Sequence, residues 1–262
     1  MRSTIVWTIL RREWVETVRN RLLMSTILIP PMILTVAPIV LAGAVGQRAL
    51  PPELAAQVVQ QRPAWAAFTA GELAGAFAVQ QFLVFFLLMP AYIPLSIATF
   101  SIIGEKQARS LEPVLATPIR TVELLTGKSI AALVPGVLAG WVTYVVFVLL
   151  ASYVYGPALF GVVTDPSWLA GVFLLGPALG LSSVVAGVLV SARVNDPRVA
   201  QQIGGIIIVP VIAIVLFQAT ATVLVGAVGY AILALIVLAI SLVGLRIGVR
   251  LFDREAILTR WR

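Results

Sequence analysis

Residues 73–104 read LAGAFAVQQFLVFFLLMPAYIPLSIATFSIIG, a stretch without a single charged side chain. A helix needs about 20 predominantly apolar residues to cross the hydrocarbon core of a bilayer, and this stretch exceeds that length. Four further uncharged stretches are long enough for the same role: Leu22–Gln47, Ser129–Thr164, Pro166–Ala192 and Val199–Leu245. The sequence therefore predicts an all-α polytopic membrane protein.

The last of these stretches is long enough for two passes. A tight turn fits best at the polar run Gln218–Thr222, near its middle. We therefore predict one transmembrane domain over residues 1–262 with six spans, near 22–45, 78–102, 129–152, 168–191, 202–218 and 224–246.

The composition of the whole chain agrees with residence in lipid. Of its 262 residues, 60% are hydrophobic and 11% are charged, and the mean hydropathy is +1.05. Soluble domains are about 45–50% apolar and about 25% charged, so a soluble enzyme is excluded. Because the chain has no Cys and no His, thiol nucleophiles, intramembrane metalloproteases and haem carriers with His ligands are excluded as well.

The basic residues lie almost entirely on one side of the predicted spans. Of the 18 Lys and Arg residues, only Arg48 and Arg62 fall on the opposite side. The positive-inside rule then places both termini in the cytoplasm. The net charge of +7 therefore reflects membrane orientation and not a nucleic-acid partner. High Ala, Val and Arg with little Lys indicate a prokaryote, so we expect its cytoplasmic (inner) membrane.

Residues 3–20 are predicted to form an amphipathic helix that lies in the membrane interface. Charged residues occupy one side, including Arg12 and Glu16. Apolar residues recur every four positions on the other: Val6, Leu10, Trp14 and Val18. A simple anchor and a mechanical role are both compatible with this pattern.

The predicted spans contain no Asp, Glu or Lys. An ion-coupled secondary transporter usually keeps an ionisable residue at mid-membrane, so its absence weakens that interpretation. It does not remove it, because backbone carbonyls can coordinate sodium. Candidate polar residues of a cavity are Gln80 and Gln81, at the start of the second span, and Gln218, at the end of the fifth.

Three pairs of glycines have the GxxxG spacing that lets helix backbones approach closely. We expect them to serve packing within the chain and not a specific dimer contact. The pairs are Gly136 and Gly140, Gly176 and Gly180, and Gly244 and Gly248.

The loop after the second span, residues 104–128, is the most informative segment. Glu105 and Arg109 are four residues apart, in the favourable order for a helical ion pair. An apolar ridge follows, and a proline ends it: Leu111, Val114, Leu115 and Pro118. By the residues alone, docking of a cytoplasmic partner and a solvated connection between spans fit equally well.

The same loop resembles the signature of the type-2 ABC-transporter permeases. The resemblance lies in Glu105-Lys106, Arg109–Glu112, Leu115–Ile119, Glu123–Leu125 and Gly127-Lys128. It extends to Arg11–Glu13 with Arg19–Arg21, to the second cytoplasmic loop at Ser191–Gln202, and to the tail Leu251–Leu258.

This resemblance implies a membrane subunit with six helices, an N-terminal connecting helix at residues 3–20, and coupling loops at 104–128 and 191–202. Such permeases pair with a second copy or a homologous permease. Two cytoplasmic ABC ATPase subunits, which hold ATP and Mg, drive the pair, usually for export. Carried onto this chain, the ATPase-coupling residues are Glu105, Lys106, Arg109, Leu111, Glu112, Pro113, Leu115, Pro118, Asn195 and Arg198.

The chain itself is expected to have no ATPase site, no cofactor and no bound metal. Gly127-Lys128-Ser129 looks like the end of a phosphate-binding loop, but Val122 stands where that motif needs a glycine. The connection Gln47–Glu72 is short, with a small helix expected at Glu53–Gln61, whereas sodium-exporter-like members often carry a large domain there.

The sequence thus favours the permease of an ATP-driven exporter. Its rivals are an ion-coupled secondary transporter and a membrane scaffold that transports nothing. An intramembrane hydrolase is disfavoured by the missing His and by carboxylates confined to loops.

Overall fold

The structure is a computed structural model that describes residues 3–108, 121–207, 209, 213 and 225–251. This part of the chain is helical and contains no strand. Its helices are α1 (Ser3–Arg19), α2 (Arg21–Val45), α3 (Pro52–Gln61), α4 (Ala70–Gln107), α5 (Thr121–Val163), α6 (Pro166–Leu169), α7 (Gly176–Ser191), α8 (Pro197–Gly204) and α9 (Ala227–Leu251). A π-helical segment, Ala170–Leu175, joins α6 to α7, and 3₁₀ turns occupy Pro63–Ala67 and Gly205–Ile207.

Among the described residues, five helical stretches are long and apolar enough to cross a membrane. They are Arg21–Val45, Ala70–Gln107, Val122–Pro157, Leu159–Ser191 and Ala227–Gly248, and they match the first, second, third, fourth and sixth predicted spans. The predicted fifth span, 202–218, lies mostly outside the described residues. The count of six and the side of each terminus therefore stay predictions.

The helix boundaries differ from the predicted spans because the helices continue beyond the apolar core into polar residues. A capping box between Thr69 and Glu72 starts α4 well before residue 78, and the helix continues past residue 102 to Gln107. Helix α5 likewise runs beyond 129–152 at both ends, with a kink at Gly156, where φ is +69°. The small helix expected at Glu53–Gln61 is confirmed as α3.

Helix α4 lies at the centre of the bundle. Of its most apolar stretch, 76% is buried, against 11% for α2 and 17% for α9. It packs mainly against α5, α7 and α2. An aromatic cluster fills the interior beside it, in which Phe86 contacts Phe147 and Trp168 at ring-centroid distances of 5.2 and 5.6 Å.

The glycine pairs pack within the chain, as predicted. A Cβ atom at Gly136 would lie 2.4 Å from Pro94 Cγ, so α5 approaches α4 where the proline ring faces a bare backbone. A Cβ atom at Gly180 would lie 2.8 Å from Leu133, and one at Gly244 would lie 2.6 Å from Val185. Each pair therefore permits close contact between helices of the same chain.

The bundle has two distinct ends. At the basic end, α1 meets the end of α4 and the start of α5. At the opposite end, α2 stops, α3 follows, and α4 begins. Asn20 separates α1 from α2, because its side-chain oxygen accepts hydrogen bonds from the backbone N–H groups of Leu22 and Leu23 and so starts a new helix.

Candidate functional site

Helix α1 is held firmly against α5 at the basic end. The indole N–H of Trp14 donates to the carbonyl of Ala131 at 3.1 Å. Gly127 allows the close approach, since a Cβ atom there would lie 2.9 Å from Ile9 Cγ2. The predicted connecting helix is therefore a helix, and it is attached to the bundle through α5.

The buried face of α1 differs from the predicted stripe. Leu10, Glu13 and Thr17 are buried, whereas Val18 is 66% exposed. A helix has 3.6 residues per turn, so a strict four-residue repeat drifts by about 40° at each step. The stripe that begins at Val6 has therefore rotated out of the contact by Val18.

A cluster of buried charges joins α1, α4 and α5. Lys128 Nζ lies 2.5 Å from Glu13 Oε1 and 3.0 Å from Glu105 Oε2. It also donates to the hydroxyl of Ser101 at 2.7 Å. The exposed fractions of Glu13, Glu105 and Lys128 are 4%, 7% and 5%. We call Glu13, Ser101, Glu105 and Lys128 the ion cluster.

Arg12 supplies a second positive charge at the rim of the ion cluster. Its Nη2 atom lies 3.7 Å from Glu105 Oε1, and its Nε atom donates to Glu16 at 2.9 Å. The hydrogen bond to Glu16, with the charges of Glu105 and Glu13, raises the pKa of Arg12, so the guanidinium stays protonated. Two carboxylates thus face two cations, which is the condition under which charges tolerate burial.

The end of α4 also contacts the second predicted coupling loop. Gln107 Nε2 donates to the carbonyl of Asn195 at 2.8 Å, and Lys106 Nζ to that of Val194 at 3.5 Å. Asp196 starts α8 by accepting a hydrogen bond from the Arg198 N–H at 2.7 Å. The last turn of α4 therefore connects the ion cluster to residues 194–198.

The structure brings together four of the residues predicted to couple to an ATPase. Glu105 and Lys106 lie on the last turn of α4, which contacts the backbone of Asn195. Arg198 lies in the first turn of α8, a helix that packs on α4. Glu105 is buried, and its carboxylate faces α1 and α5 rather than solvent. The other predicted coupling residues lie outside the described residues: Arg109, Leu111, Glu112, Pro113, Leu115 and Pro118.

The sequence prediction missed Glu13, Ser101 and Lys128 as site residues. Two signals were present, since Glu13 follows Leu10 at helical spacing and Lys128 directly precedes the uncharged stretch Ser129–Thr164. Neither pattern identifies the partner, because Glu13 and Lys128 are 115 residues apart along the chain.

The glutamines predicted for a cavity lie in the interior of the bundle. Gln80 is 1% exposed, and its Oε1 atom accepts a hydrogen bond from the Trp168 indole at 2.9 Å. The amide atoms of Gln81 are buried and have no hydrogen-bond partner in the described part of the chain. Gln218 lies outside the described residues.

Two further features lie at the opposite end of the bundle. Arg62 Nη1 pairs with Asp165 at 2.9 Å, and its Nη2 atom donates to Ser167 at 3.1 Å, which ties the connection before α4 to the start of α6. A cavity of about 380 Å³ lies between α2, α4 and α5. We call it the α2–α4–α5 cavity; its walls include Gly46, Phe68 and Tyr155.

A family model described as "ABC-2 family transporter protein" matches residues 62–225, from just after α3 to just before α9. No curated protein matches the chain.

Proposed function

The chain belongs to the ABC-2 family of transporter proteins, and from this premise we propose that it is the permease of an ATP-driven exporter. Membership makes the protein a multi-pass membrane component of an ABC transporter. Members of the family form the membrane part and associate with an ABC ATPase. The direction of transport, a separate ATPase polypeptide and the stoichiometry belong to the proposal.

In the proposed assembly, two cytoplasmic ATPase subunits bind ATP and Mg, and this chain pairs with a second copy or a homologous permease. Both termini and the basic end face the cytoplasm of a prokaryote, and the bundle spans its inner membrane. The positive-inside distribution of Lys and Arg supports this orientation.

The family match carries the proposal, and the ion cluster indicates how an ATPase would be coupled to the bundle. A push by the ATPases on loops 104–128 and 191–202 reaches the end of α4 first, through Lys106 and Gln107. Because Glu105 pairs with Lys128, and Lys128 with Glu13, the three helices α1, α4 and α5 must move together. Separating them would leave charges buried without partners, which is costly.

Motion of α4 then reaches the rest of the bundle. Helix α4 is the most buried of the described spans and packs against α2, α5 and α7. Packed cores respond to displacement by discrete rearrangement rather than by gradual deformation. A shift at the basic end can therefore switch the arrangement of helices at the opposite end, where a solute would leave.

Co-purification tests the partner directly. The tagged full-length protein is purified in mild detergent from its native host, with and without a non-hydrolysable ATP analogue that holds a weak complex. A stoichiometric ATPase subunit is the expected result. A preparation without an ATPase under both conditions would contradict the proposal and favour an ion-coupled transporter or a scaffold.

A pair of variants tests the role of the ion cluster in coupling. Glu105→Gln keeps the size of the side chain but removes the charge that faces Lys128 and Arg12. We expect the variant complex to assemble and bind ATP, with solute-stimulated ATPase activity lowered several-fold. Glu53→Gln on α3, an exposed carboxylate outside the cluster, is the matched control and should behave as the wild type. Equal solute-stimulated ATPase activity in both variants would show that the ion cluster does not contribute to coupling.

A further inference from the structure

The α2–α4–α5 cavity has the size and the walls of a ligand site. Its volume of about 380 Å³ falls within the range of about 300–1,000 Å³ that is usual for small-molecule pockets. Small residues of α2 and α4 face it, including Ala42 and Gly75, and Leu159 of α5 adds an apolar wall. Phe68 and Tyr155 contribute aromatic rings.

The walls of this cavity are fixed by contacts between backbones and one tyrosine. A Cβ atom at Gly71 would lie 2.5 Å from the carbonyl oxygen of Gly46, so the start of α4 touches the end of α2. The Tyr155 hydroxyl donates to the carbonyl of Ile39 at 2.6 Å and holds α5 to α2. The cavity is therefore preformed, and a ligand would not have to separate the helices to enter it.

Glu72 is the only charged residue among the described residues that line the cavity. Its Oε2 atom accepts hydrogen bonds from the Thr69 N–H and hydroxyl, each at 2.8 Å, which fixes the carboxylate in place. Within the described part of the chain, Glu72 forms no ion pair, and its Oε1 atom accepts no hydrogen bond. Glu72 is exposed, so its charge stands at the mouth of an apolar and aromatic cavity, with no cation within ion-pair distance in the described part of the chain.

We propose that the α2–α4–α5 cavity binds a lipophilic organic cation. The positive centre of the ligand lies beside Glu72, and its apolar body packs against Phe68, Tyr155 and the glycine-rich walls. Aromatic faces favour a cation that has lost part of its hydration, and the carboxylate selects against an anion of the same shape. The proposal rests on the proposed function only in taking this cation as the transported solute.

The test compares two probes of the same shape and opposite charge. Tetraphenylphosphonium and tetraphenylborate are titrated, as radiolabelled ligands, against the full-length protein in phosphatidylcholine nanodiscs, with empty nanodiscs as the background for partition into lipid. We expect saturable binding of the phosphonium and none of the borate. Equal binding of both, or binding of neither, would overturn the proposal and leave a cavity filled by lipid chains.

Variants test whether the phosphonium binds beside Glu72. Glu72→Gln removes the charge but keeps the capping box, because Gln also accepts hydrogen bonds at this position of a helix. We expect its affinity for the phosphonium to fall by tenfold or more. Glu53→Gln, an exposed carboxylate on α3 that does not line the cavity, is the matched control and should bind as the wild type. An affinity for Glu72→Gln within twofold of the wild type would overturn the proposal.

A third variant separates the cavity from a general surface charge effect. Gly75→Leu places a large side chain on the cavity wall, where a Cβ atom has only ordinary contacts at 3.5 Å or more. The variant should insert and fold, yet lose saturable binding. Unchanged binding would show that the phosphonium occupies another place and would overturn the proposal.

Failure of this proposal is distinguishable from failure of the exporter proposal. The binding assay uses the permease alone, without nucleotide or ATPase. If binding depends on charge but no ATPase co-purifies, the exporter proposal is rejected and the cation-site proposal stands. If a stoichiometric ATPase complex forms but phosphonium binding does not depend on Glu72, only the cation-site proposal is rejected.

Discussion

At the scale of single residues, Lys128 organises the basic end of the bundle. Its ammonium group contacts Glu13, Glu105 and Ser101, which come from two other helices. A buried ion pair is weak evidence for stability, because desolvation of both ions offsets their attraction. The ion cluster is better understood as a device that specifies which faces of α1, α4 and α5 meet.

Lys128→Met should destabilise the protein strongly. The change leaves Glu13 and Glu105 buried without the ammonium group, which costs about 3–5 kcal/mol in comparable cases. The measurement is the Tm of the purified protein in detergent, and we expect a clear decrease.

A double variant tests whether unpaired charge is the reason. Adding Glu13→Gln to Lys128→Met removes one of the two unpaired buried carboxylates. The double variant should therefore recover part of the decrease in Tm. If the double variant is less stable than Lys128→Met, packing and not charge explains the loss.

At the scale of elements, the close packing of α5 on α4 depends on glycines of α5 that lie opposite proline rings of α4. Pro90 and Pro94 of α4 face Gly140 and Gly136 of α5. Without water to compete, helices in lipid associate through van der Waals packing and interhelical hydrogen bonds, and small residues allow close approach. The proline-bearing helix α4 and the glycine-bearing helix α5 therefore pack closely against each other.

Gly136→Ala should separate this pair. The added Cβ atom would lie 2.4 and 2.5 Å from the Pro94 ring, which cannot move aside as a flexible chain would. We expect a lower Tm. Gly161→Ala, in the same helix but with nothing within 4 Å of the new atom, is the control and should leave the Tm unchanged or slightly raised. Equal effects of both changes would contradict the packing argument.

The Arg62–Asp165 pair should contribute modestly at the opposite end. The two side chains are 16% and 27% exposed, so solvent screens part of their interaction. Arg62→Ala is expected to cost about 1–2 kcal/mol, since the hydrogen bond to Ser167 is also lost. The decrease in Tm should be smaller in 1 M salt. Arg48→Ala, an exposed arginine of the same region, is the control.

At the scale of the whole molecule, the proposed exporter needs its basic end in the cytoplasm. The ion cluster, the end of α4 and residues 194–198 must then face the ATPases, while the α2–α4–α5 cavity lies near the other surface of the membrane. The distribution of Lys and Arg supports this orientation.

Cysteine labelling should establish the orientation, and the absence of native Cys makes the experiment clean. A membrane-impermeant maleimide should label Glu53→Cys in right-side-out vesicles and Arg198→Cys in inside-out vesicles. Both residues are exposed, so accessibility depends on the side of the membrane and not on burial. The reverse pattern of labelling would contradict the proposed topology.

The sequence by itself determined the membrane character, the all-helical class and the approximate places of the five described spans. Lipid offers no hydrogen bonds to the backbone, so a long apolar stretch must become a helix whatever surrounds it. The small helix α3 and the packing of the glycine pairs within the chain also followed from local sequence. The sequence also named Glu105, Lys106 and Asn195 as coupling residues, and the fold places them on and beside the last turn of α4.

Only the tertiary structure decided which faces of the helices meet. The contacts of Glu13 with Lys128, Gln80 with Trp168, and Arg62 with Asp165 each join residues 88 or more positions apart. In spans that are apolar all round, hydrophobic periodicity does not mark the inner face, because lipid and protein interior are equally apolar. The ion cluster and the α2–α4–α5 cavity arise from such contacts. Of the ion cluster, only Glu105 was predicted as a site residue, and no residue that lines the cavity was.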